Sequence, residues 1–243
     1  MVISKSVIIP LKEEGEEVVD ILSNFLEHLK EDTELLVVLD SKEDQTIPFL
    51  NKSKLDIKII INDLGPGVSN AINCGISHSS GKDICIAMGD GSDDPRQVED
   101  LLLLTQRGLA VAVASRYSRG GQFIGKKDVK YFLSKYSGFF LNLFFRIGTK
   151  DPTNMFKAYS KQFLDEVIVE SDVGFTLGLE MIVKAKLYKK NVGEVPTIWI
   201  DRNFGISKFS FQSFLPKYLY WIGRLVFRKK NKWKFCLPDL RVL

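Results

Sequence analysis

Three aspartates cluster in one short turn, Met88–Pro95, which we name the acidic turn. Asp90, Asp93 and Asp94 lie within five residues of one another and directly follow an apolar run. Clustered carboxylates repel one another unless a cation lies between them, and Mg²⁺ and Mn²⁺ prefer oxygen ligands of this type. The acidic turn therefore predicts a divalent-metal site. In the competing interpretation, Asp93 or Asp94 caps a helix that begins at Pro95, which suits Asp94 best and leaves Asp90 too far upstream.

Three further segments carry groups suited to anion binding. Gly65-Pro66-Gly67 opens a predicted helix, so its N–H groups could face an anion, although a plain tight turn is an equal alternative. Arg116 follows an apolar run, where a guanidinium can hold a phosphate or lie on the surface. Arg202, Ser207 and Lys208 share a glycine-containing loop, which predicts either a cradle for an anionic group or a solvated basic loop.

The first half of the chain alternates short apolar runs with helical patterns. The runs predict five strands, at Val7–Ile9, Leu35–Leu39, Ile57–Ile61, Ile84–Met88 and Leu109–Ala114. Short strand–helix connections imply parallel pairing, with helices on both faces of the sheet. Ligands of such sheets bind beyond the carboxyl ends of the strands. Because Asp40, Asp90 and Arg116 each follow a strand, we expect them to converge on one crevice.

The second half contains two apolar stripes at helical spacing. One runs from Phe132 to Ile147 and is rich in aromatic residues, and the other covers residues 215–226 and leads into a basic run at 228–234. Such stripes pack on a core or lie in the interface of an anionic membrane. The two interpretations are equal for the first stripe, and membrane contact is expected for the second. The chain is therefore divided into a main domain, residues 1–208, and a basic amphipathic extension, residues 209–243.

Composition places few limits on function. The chain has 243 residues, 45% of them hydrophobic, and a net charge of +4, which does not point to nucleic acid as a partner. Three cysteines without metal-ligand spacing predict buried thiols in a reducing compartment. We expect no signal peptide and no spanning helix, since no apolar run approaches about 20 residues. The expected location is cytoplasmic, peripheral on the inner face of a membrane.

A set of motifs follows the order seen in a known family, over roughly residues 5–210. The motifs are Val7-Ile8-Ile9-Pro10 with Glu14, Val38-Leu39-Asp40 with Asp44, Gly67 through Gly75, the acidic turn, Ser115-Arg116-Tyr117, Asp151-Pro152-Thr153-Asn154-Met155-Phe156, Glu180, Glu194-Val195-Pro196 and Arg202-Gly205-Ser207-Lys208. Together they resemble the family 2 glycosyltransferases, and within them the dolichyl-phosphate mannosyltransferase-like branch. The resemblance implies an α/β fold of the GT-A type, with a mostly parallel central sheet and helices on both faces. It also implies an inverting enzyme that transfers a hexose from a nucleotide-diphospho-sugar.

The same resemblance implies roles for individual residues. The nucleotide-sugar pocket would comprise Pro10, Glu14, Asp40, Asp44, Gly67, Asp90, Arg116 and Glu180. Mg²⁺ or Mn²⁺ would be held by Asp90 and Asp93, and the acceptor phosphate by Arg202, Ser207 and Lys208. The catalytic residues would be Asp90, Arg116, Arg202 and Lys208. For Glu180, a helix-face glutamate bound to a basic neighbour is an equal alternative.

The acceptor and the reaction class leave alternatives open. The expected partners are a GDP- or UDP-sugar, a polyprenyl (dolichyl or undecaprenyl) phosphate and a membrane surface. A lipid phosphate is already an anion and needs no strong base, whereas a hydroxyl of a cell-surface glycan would need a carboxylate base, with Asp151 or Asp93 as candidates. A nucleotidyltransferase would share strand-end carboxylates, but its usual signature loop is absent where Pro10-Leu11-Lys12-Glu13-Glu14 stands. A non-catalytic membrane-associated scaffold is the third class.

Overall fold

The structure is a computed structural model that describes residues 2–171, 174–201 and 211–228. Its strands are β1 (Lys5–Leu11), β2 (Thr33–Leu39), β3 (Lys58–Ile61), β4 (Asp83–Ile86), β5 (Val111–Ser115), β6 (Gln122–Ile124), β7 (Lys157–Ser160), β8 (Val192–Pro196) and β9 (Ile198–Ile200). Its α-helices are α1 (Glu17–His28), α2 (Ile47–Ser53), α3 (Val68–His78), α4 (Val98–Gln106), α5 (Val129–Phe145), α6 (Lys161–Glu166), α7 (Gly174–Leu187) and α8 (Phe211–Val226). The five strands predicted from apolar runs are all present, with ends shifted by a few residues.

Seven strands form one central sheet in the order β3-β2-β1-β4-β7-β5-β8. Neighbouring strands pair in parallel, except that β7 runs antiparallel to both β4 and β5. The first five strands therefore point the same way, and their carboxyl ends share one edge of the sheet. The predicted α/β fold with a mostly parallel sheet is confirmed, whereas the antiparallel insertion of β7 was not predicted.

Hydrophobic cores lie on both faces of the sheet, because successive side chains of each strand point to opposite sides. On one face α1, α2 and α4 cover Val7 and Ile9 of β1 and their neighbours. On the other face α3, α6, α7 and α8 pack against Ile8 and its neighbours. The predicted covering of both faces is confirmed. Strand β4 ends at Ile86 rather than at Met88, since the Met88 N–H donates to the Asp93 carboxylate instead of a neighbouring strand.

The two apolar stripes of the second half both form helices. The stripe at 132–147 lies on α5 except for its last member, Ile147, which follows the helix and is buried. On α5, eight large hydrophobic side chains between Val129 and Phe144 are 44–72% exposed. Packing against the core therefore does not explain why most of these side chains are apolar, although Leu141 is buried. The second stripe lies on α8, which buries Trp221 and Leu225 against the core and exposes Leu219 and others. Among the residues that the structure describes, no helix has both the length and the hydropathy needed to cross a membrane.

A small second sheet lies beside the main one and pairs β6 with β9 in parallel. The Phe123 and Trp199 rings stack across this pair at 4.9 Å between centroids. Residues 202–210 and 229–243 lie outside the described part of the chain. The predicted acceptor-phosphate residues Arg202, Ser207 and Lys208 are among them, as is most of the basic run. The division at residue 208 stays a prediction. Of the cysteines, Cys74 and Cys85 are buried free thiols, as predicted, and Cys236 lies outside the described range.

Candidate active site

The three aspartates of the acidic turn differ in what they contact. Asp94 precedes a 3-10 turn at Pro95–Gln97, and its carboxylate accepts a hydrogen bond from the Arg96 N–H at 3.1 Å and pairs with the Arg96 side chain at 2.7 Å. The capping interpretation of Asp94 is confirmed. Asp90 and Asp93 do not cap this turn, so their carboxylates remain available for other roles.

Asp93 is the buried carboxylate of the acidic turn. It accepts a hydrogen bond from the Met88 N–H at 2.9 Å. Burial, reinforced by the negative charge of Asp90, raises the pKa of Asp93 to about 7. Asp90 is more accessible and accepts from both the N–H and the hydroxyl of Ser92, at 3.1 and 2.6 Å. The two carboxylates thus repel each other in the absence of a neighbouring cation.

This carboxylate pair suits a metal shared with a ligand. Within residues 2–171, 174–201 and 211–228, no three His, Cys, Asp or Glu side chains group to hold a metal by themselves. Mg²⁺ is commonly bound by one or two carboxylates together with substrate phosphates, and Asp90 and Asp93 match that donor set. Gly91 shapes the turn, since its φ of +73° is one that side-chain-bearing residues rarely adopt. An aspartate at that position would be strained.

Asp40 lies at the end of β2 and holds the predicted glycine turn. Its carboxylate accepts from the Gly67 N–H at 3.1 Å and from the Asn62 side chain at 2.9 Å, with the Lys12 ammonium at 3.9 Å. The chain's own carboxylate therefore already occupies the Gly67 N–H, which favours the tight-turn interpretation over an open anion cradle. Asn62 was not anticipated, because an amide at the end of a short strand gives no distinct sequence signal.

The loop after β1 is held by the loop after β2. Asp44 accepts from the N–H groups of Glu13 and Thr46, at 3.0 and 2.9 Å. Burial raises the pKa of Asp44, but these hydrogen bonds outweigh it and hold the pKa below its ordinary value. The Glu14 N–H donates to the Thr46 hydroxyl at 2.9 Å, and Pro10 is buried within β1. Pro10, Glu14, Asp40 and Asp44 therefore lie at one end of the carboxyl edge.

Arg116 follows β5 and forms a buried ion pair. Its Nε and Nη2 each lie 2.7 Å from an oxygen of Asp151, and the Arg116 N–H donates to the same carboxylate. The guanidinium also lies 5.1 Å from the Tyr117 ring and 5.6 Å from the Trp199 ring. Arg116 is thus preorganised at the edge of the crevice, with one side of its guanidinium committed to Asp151.

The same ion pair argues against Asp151 as a general base. Burial raises the pKa of Asp151, but the Arg116 charge and its hydrogen bonds hold the pKa below the ordinary value. Burial also acts on Arg116, where the Asp151 charge outweighs it and raises the pKa. A carboxylate with a depressed pKa is a weak proton acceptor, so of the two predicted candidates Asp93 is the better suited.

Lys157 is a charged residue of the site region that the sequence patterns did not reveal. It begins β7, pairs with Ile86 of β4 and Val113 of β5, and is fully buried. Its ammonium donates to the Pro152 carbonyl at 3.2 Å. Burial lowers the pKa of Lys157 to about 7, while Asp151 and Asp93 oppose that effect. Lysine side chains are usually exposed, so the sequence did not indicate that Lys157 is buried in the site region.

Glu180 lies on α7 and is fully buried. Its carboxylate accepts from the Lys184 ammonium at 2.6 Å and from the N–H groups of Glu170 and Ser171, each at 2.7 Å. This is the helix-face glutamate with a basic neighbour that stood as the alternative to a sugar contact. The described structure shows Glu180 engaged with its own chain, and a role under the sugar stays a prediction.

The comparisons with known proteins agree with this architecture. The family model described as Glycosyl transferase family 2 matches residues 6–168. The chain is 29% identical over 232 residues to "Dolichol-phosphate mannosyltransferase" of Pyrococcus furiosus, covering 91% of this chain and 63% of that protein. It is 27% identical over 123 residues to "Polyprenol monophosphomannose synthase" of Mycolicibacterium smegmatis, covering 50% of this chain and 46% of that protein. The chain thus spans less than two thirds of the length of either relative.

Solved structures show the same fold at low sequence identity. Glucosyl-3-phosphoglycerate synthase from Mycobacterium tuberculosis, in complex with Mn²⁺, UDP-glucose and glycerol 3-phosphate, superposes with a TM-score of 0.69 at 15% identity, covering 95% of this chain and 82% of that one. The complex of that enzyme with Mn²⁺, UDP and phosphoglyceric acid gives 0.67 at 16% identity, with coverage of 93% and 78%. The predicted GT-A fold is confirmed. Because the family model matches residues 6–168, more than half of the chain, the chain belongs to glycosyl transferase family 2.

Proposed function

We propose that this protein transfers a hexose from a GDP- or UDP-sugar to a polyprenyl phosphate, with Mg²⁺ or Mn²⁺ as cofactor. Family membership supports glycosyl transfer, and the names of both curated relatives support a polyprenol-type acceptor. The Mn²⁺ and UDP-glucose in the complex of the structurally similar glucosyl-3-phosphoglycerate synthase support the cofactor and the donor class. The whole protein's activity rests on these similarities together with the site.

The observation that best supports a lipid acceptor is the exposed apolar face of α5. Phe140 and Phe144 stack on each other while remaining about half or more exposed, and Phe132 and Tyr136 form a second exposed stack. Exposed lysines and an arginine flank this face, at Lys126, Lys127, Lys135 and Arg146. Large exposed apolar patches mark interaction surfaces, and a basic rim favours an anionic membrane surface. The proposed location is peripheral, on the inner face of a membrane.

The proposed mechanism is a displacement at the anomeric carbon of the sugar. An oxygen of the acceptor phosphate attacks that carbon, and the nucleoside diphosphate leaves from the opposite side. A divalent cation held by Asp90 and Asp93 would stabilise the charge that builds up on the departing diphosphate. Arg116 contributes a fixed positive charge at the same edge of the sheet. The acceptor is already an anion, so the chain needs no strong general base for this step.

The remaining proposed contacts lie at the two ends of the crevice. Pro10, Glu14, Asp40, Asp44 and Gly67 would receive the nucleoside at the β1–β2 end. Arg202, Ser207 and Lys208 would bind the acceptor phosphate from outside the described residues. The structure supports the first group through the hydrogen bonds that join the loops after β1 and β2.

A donor and acceptor screen tests the proposal. Purified protein is incubated with GDP- and UDP-sugars and either Mg²⁺ or Mn²⁺, with and without polyprenyl phosphate, and glycolipid formation is measured. We expect transfer only when a metal, one donor class and the lipid phosphate are all present. Absence of transfer with every donor would instead support the non-catalytic scaffold.

The substitution Asp90→Asn tests the metal role within the same assay. We expect a loss of at least about 100-fold in transfer rate, because the transition-state charge would lose its counter-ion. Asp94→Asn is the matched control, since Asp94 caps the 3-10 turn and asparagine caps about as well as aspartate. It should retain activity within a few-fold and nearly all of its stability, because the ion pair that it loses with the exposed Arg96 contributes little. Full activity of Asp90→Asn would remove Asp90 from the mechanism.

A hydroxyl acceptor of a cell-surface glycan is the second candidate function. The observation that favours it is the raised pKa of Asp93, about 7, which suits a carboxylate that accepts a proton. Glycan acceptors without phosphate replace the lipid in the same screen. Transfer to a glycan hydroxyl, lost in Asp93→Asn, would decide for this candidate.

A further inference from the structure

A buried network of four charged side chains fixes α8 to the rest of the molecule. The network, which we name the α8 clamp, comprises Glu170, Glu180, Lys184 and Arg224. Arg224 Nη1 lies 2.8 Å from Glu170, and the Lys184 ammonium lies 3.0 Å from Glu170 and 2.6 Å from Glu180. Arg224 has no exposed surface, and its guanidinium lies 4.7 Å from the Trp221 ring centroid. Each charge of the clamp lies beside one of opposite sign, so removal of one member deprives a buried partner of that neighbour.

The clamp joins three separate pieces of the chain. Glu180 accepts from the N–H groups of Glu170 and Ser171, which fixes the segment ahead of α7 onto α7 itself. The Lys184 ammonium also donates to the Ile168 carbonyl of the same segment. Arg224 then attaches α8 to that segment through Glu170. The positions of α7 and α8 are therefore coupled by hydrogen-bonded charges as well as by apolar packing.

The other end of α8 approaches the candidate site. Tyr218 lies nearly two helical turns before Arg224 and packs against the core. Burial raises the pKa of Tyr218 to about 12, with Arg116 lowering and Asp151 raising it, so the field of that ion pair reaches the phenol. Helix α8 thus carries both Arg224 of the clamp and a phenol that the charges of the Arg116–Asp151 pair influence.

Helix α7 approaches the same ion pair by a second route. Gly178 lies so close to the turn after Asp151 that an added Cβ would be 3.1 Å from the carbonyl oxygens of Thr153 and Asn154. The Thr153 hydroxyl in turn lies 3.4 Å from Arg116 Nη2. Helix α7, which the clamp joins to α8, therefore lies against a residue that positions the guanidinium of Arg116.

We propose that Arg224 is a positioning residue of the active site, which through the clamp holds α7 against the 152–154 turn and so fixes the Arg116–Asp151 pair. This role lies outside the residues expected to touch donor, acceptor or metal. It concerns the arrangement of the protein alone and does not depend on which acceptor is used.

Two tryptophans report separately on the two ends of this connection. The Trp221 ring contacts Arg224 within the clamp, whereas the Trp199 ring lies 5.6 Å from the Arg116 guanidinium. Protein labelled with 5-fluorotryptophan gives ¹⁹F resonances that single Trp→Phe substitutions assign. Arg224→Met should shift both the Trp221 and the Trp199 resonance. Lys190→Met is the matched control, because it breaks an exposed ion pair with Glu166, and it should shift neither.

Two milder variants keep the test valid if Arg224→Met does not fold. Glu170→Gln removes the charge that Arg224 pairs with, and Arg224→Lys retains the charge with a shorter reach. We expect both to shift the Trp199 resonance, with Arg224→Lys closer to wild type than Arg224→Met where the latter folds. A folded Glu170→Gln protein with a displaced Trp221 resonance and an unchanged Trp199 resonance would overturn the proposal. The measurement uses no donor, acceptor or lipid, so its failure is distinguishable from failure of the proposed transfer reaction.

Discussion

At the scale of single residues, the acidic turn combines a structural carboxylate with two that carry unfavourable charge. Asp94 is stabilised by Arg96, whereas Asp93 is buried next to Asp90. Such an arrangement costs stability in the absence of a cation, because burial and like charge both disfavour ionised Asp93. Part of the folding free energy is thus given up to keep a charged site, as is common where a metal binds.

This cost predicts an unusual pH dependence of stability. The folded pKa of Asp93 is about 7 against an ordinary 3.8, so between these values the unfolded chain releases a proton that the folded chain keeps. The contribution of Asp93 to stability therefore falls as pH rises, by up to roughly 1 kcal/mol per pH unit. Asp93→Asn keeps an acceptor for the Met88 N–H but does not titrate. Its free energy of unfolding should therefore rise relative to that of the wild type as pH increases from about 5 to about 7.

Urea denaturation with a chelator present measures this difference. Asp94→Asn serves as the control, because the pKa of Asp94 is lowered by its hydrogen bonds with Arg96 and its contribution is lost only as pH falls through that lower value. A difference between wild type and Asp93→Asn that stays constant across the range would contradict the expectation.

At the scale of elements, α5 differs from the other helices by leaving its apolar face uncovered. Gly138 allows the helix to lie directly on the turn at Lys150–Pro152, since an added Cβ there would be 2.0 Å from the Lys150 carbonyl oxygen. Its Phe140 and Phe144 rings remain outside that contact. The helix is therefore held at Gly138, at Ser134 and at the buried Leu141, while Phe140 and Phe144 remain exposed.

The double substitution Phe140→Ser with Phe144→Ser should weaken binding to anionic liposomes by about tenfold or more. Each buried phenylalanine contributes about 1.5–3 kcal/mol, and about 1.4 kcal/mol corresponds to a factor of ten. Binding should also fall as salt is added, because the flanking lysines are screened. Liposome flotation measures both effects. Ile168→Ser, an isolated exposed residue, is the control, and undiminished binding by the double variant would argue against membrane contact through α5.

The sequence predicted those elements whose signals are local. Apolar runs indicated β1 to β5, and the Asp94-Pro95 pair indicated a helical cap, because each depends only on neighbouring residues. The placement of β7 between β4 and β5 depends on pairs of residues 44 to 77 positions apart, which no local pattern encodes. The burial of Arg224 is likewise not indicated by any local pattern, since its partner Glu170 is remote in the sequence.

At the scale of the whole molecule, α8 packs on the same core as α3 and α7. Trp221 and Leu225 contribute to the core that also contains α3 and α7, and Arg224 completes the α8 clamp. A boundary at residue 208 would therefore separate groups that are buried against each other.

Truncation after residue 208 should consequently destabilise the protein by about 5 kcal/mol or more. Loss of two buried hydrophobic side chains and of one member of a buried charge network each contribute about 3 kcal/mol or more. Thermal unfolding followed by circular dichroism measures the effect. Truncation after residue 228 retains α8 and is the control. Equal melting temperatures for the two truncated proteins would restore the boundary at residue 208.

The antiparallel strand β7 has a consequence for the width of the crevice. It separates β4 from β5, so the strands that lead into the acidic turn and Arg116 are two strand spacings apart, about 9.6 Å, instead of one spacing of about 4.8 Å. The separation of the proposed metal-binding and anion-binding residues is thus set partly by backbone hydrogen bonds of the sheet. Lys157 begins β7, so a buried lysine lies between the two strands that lead into the acidic turn and Arg116.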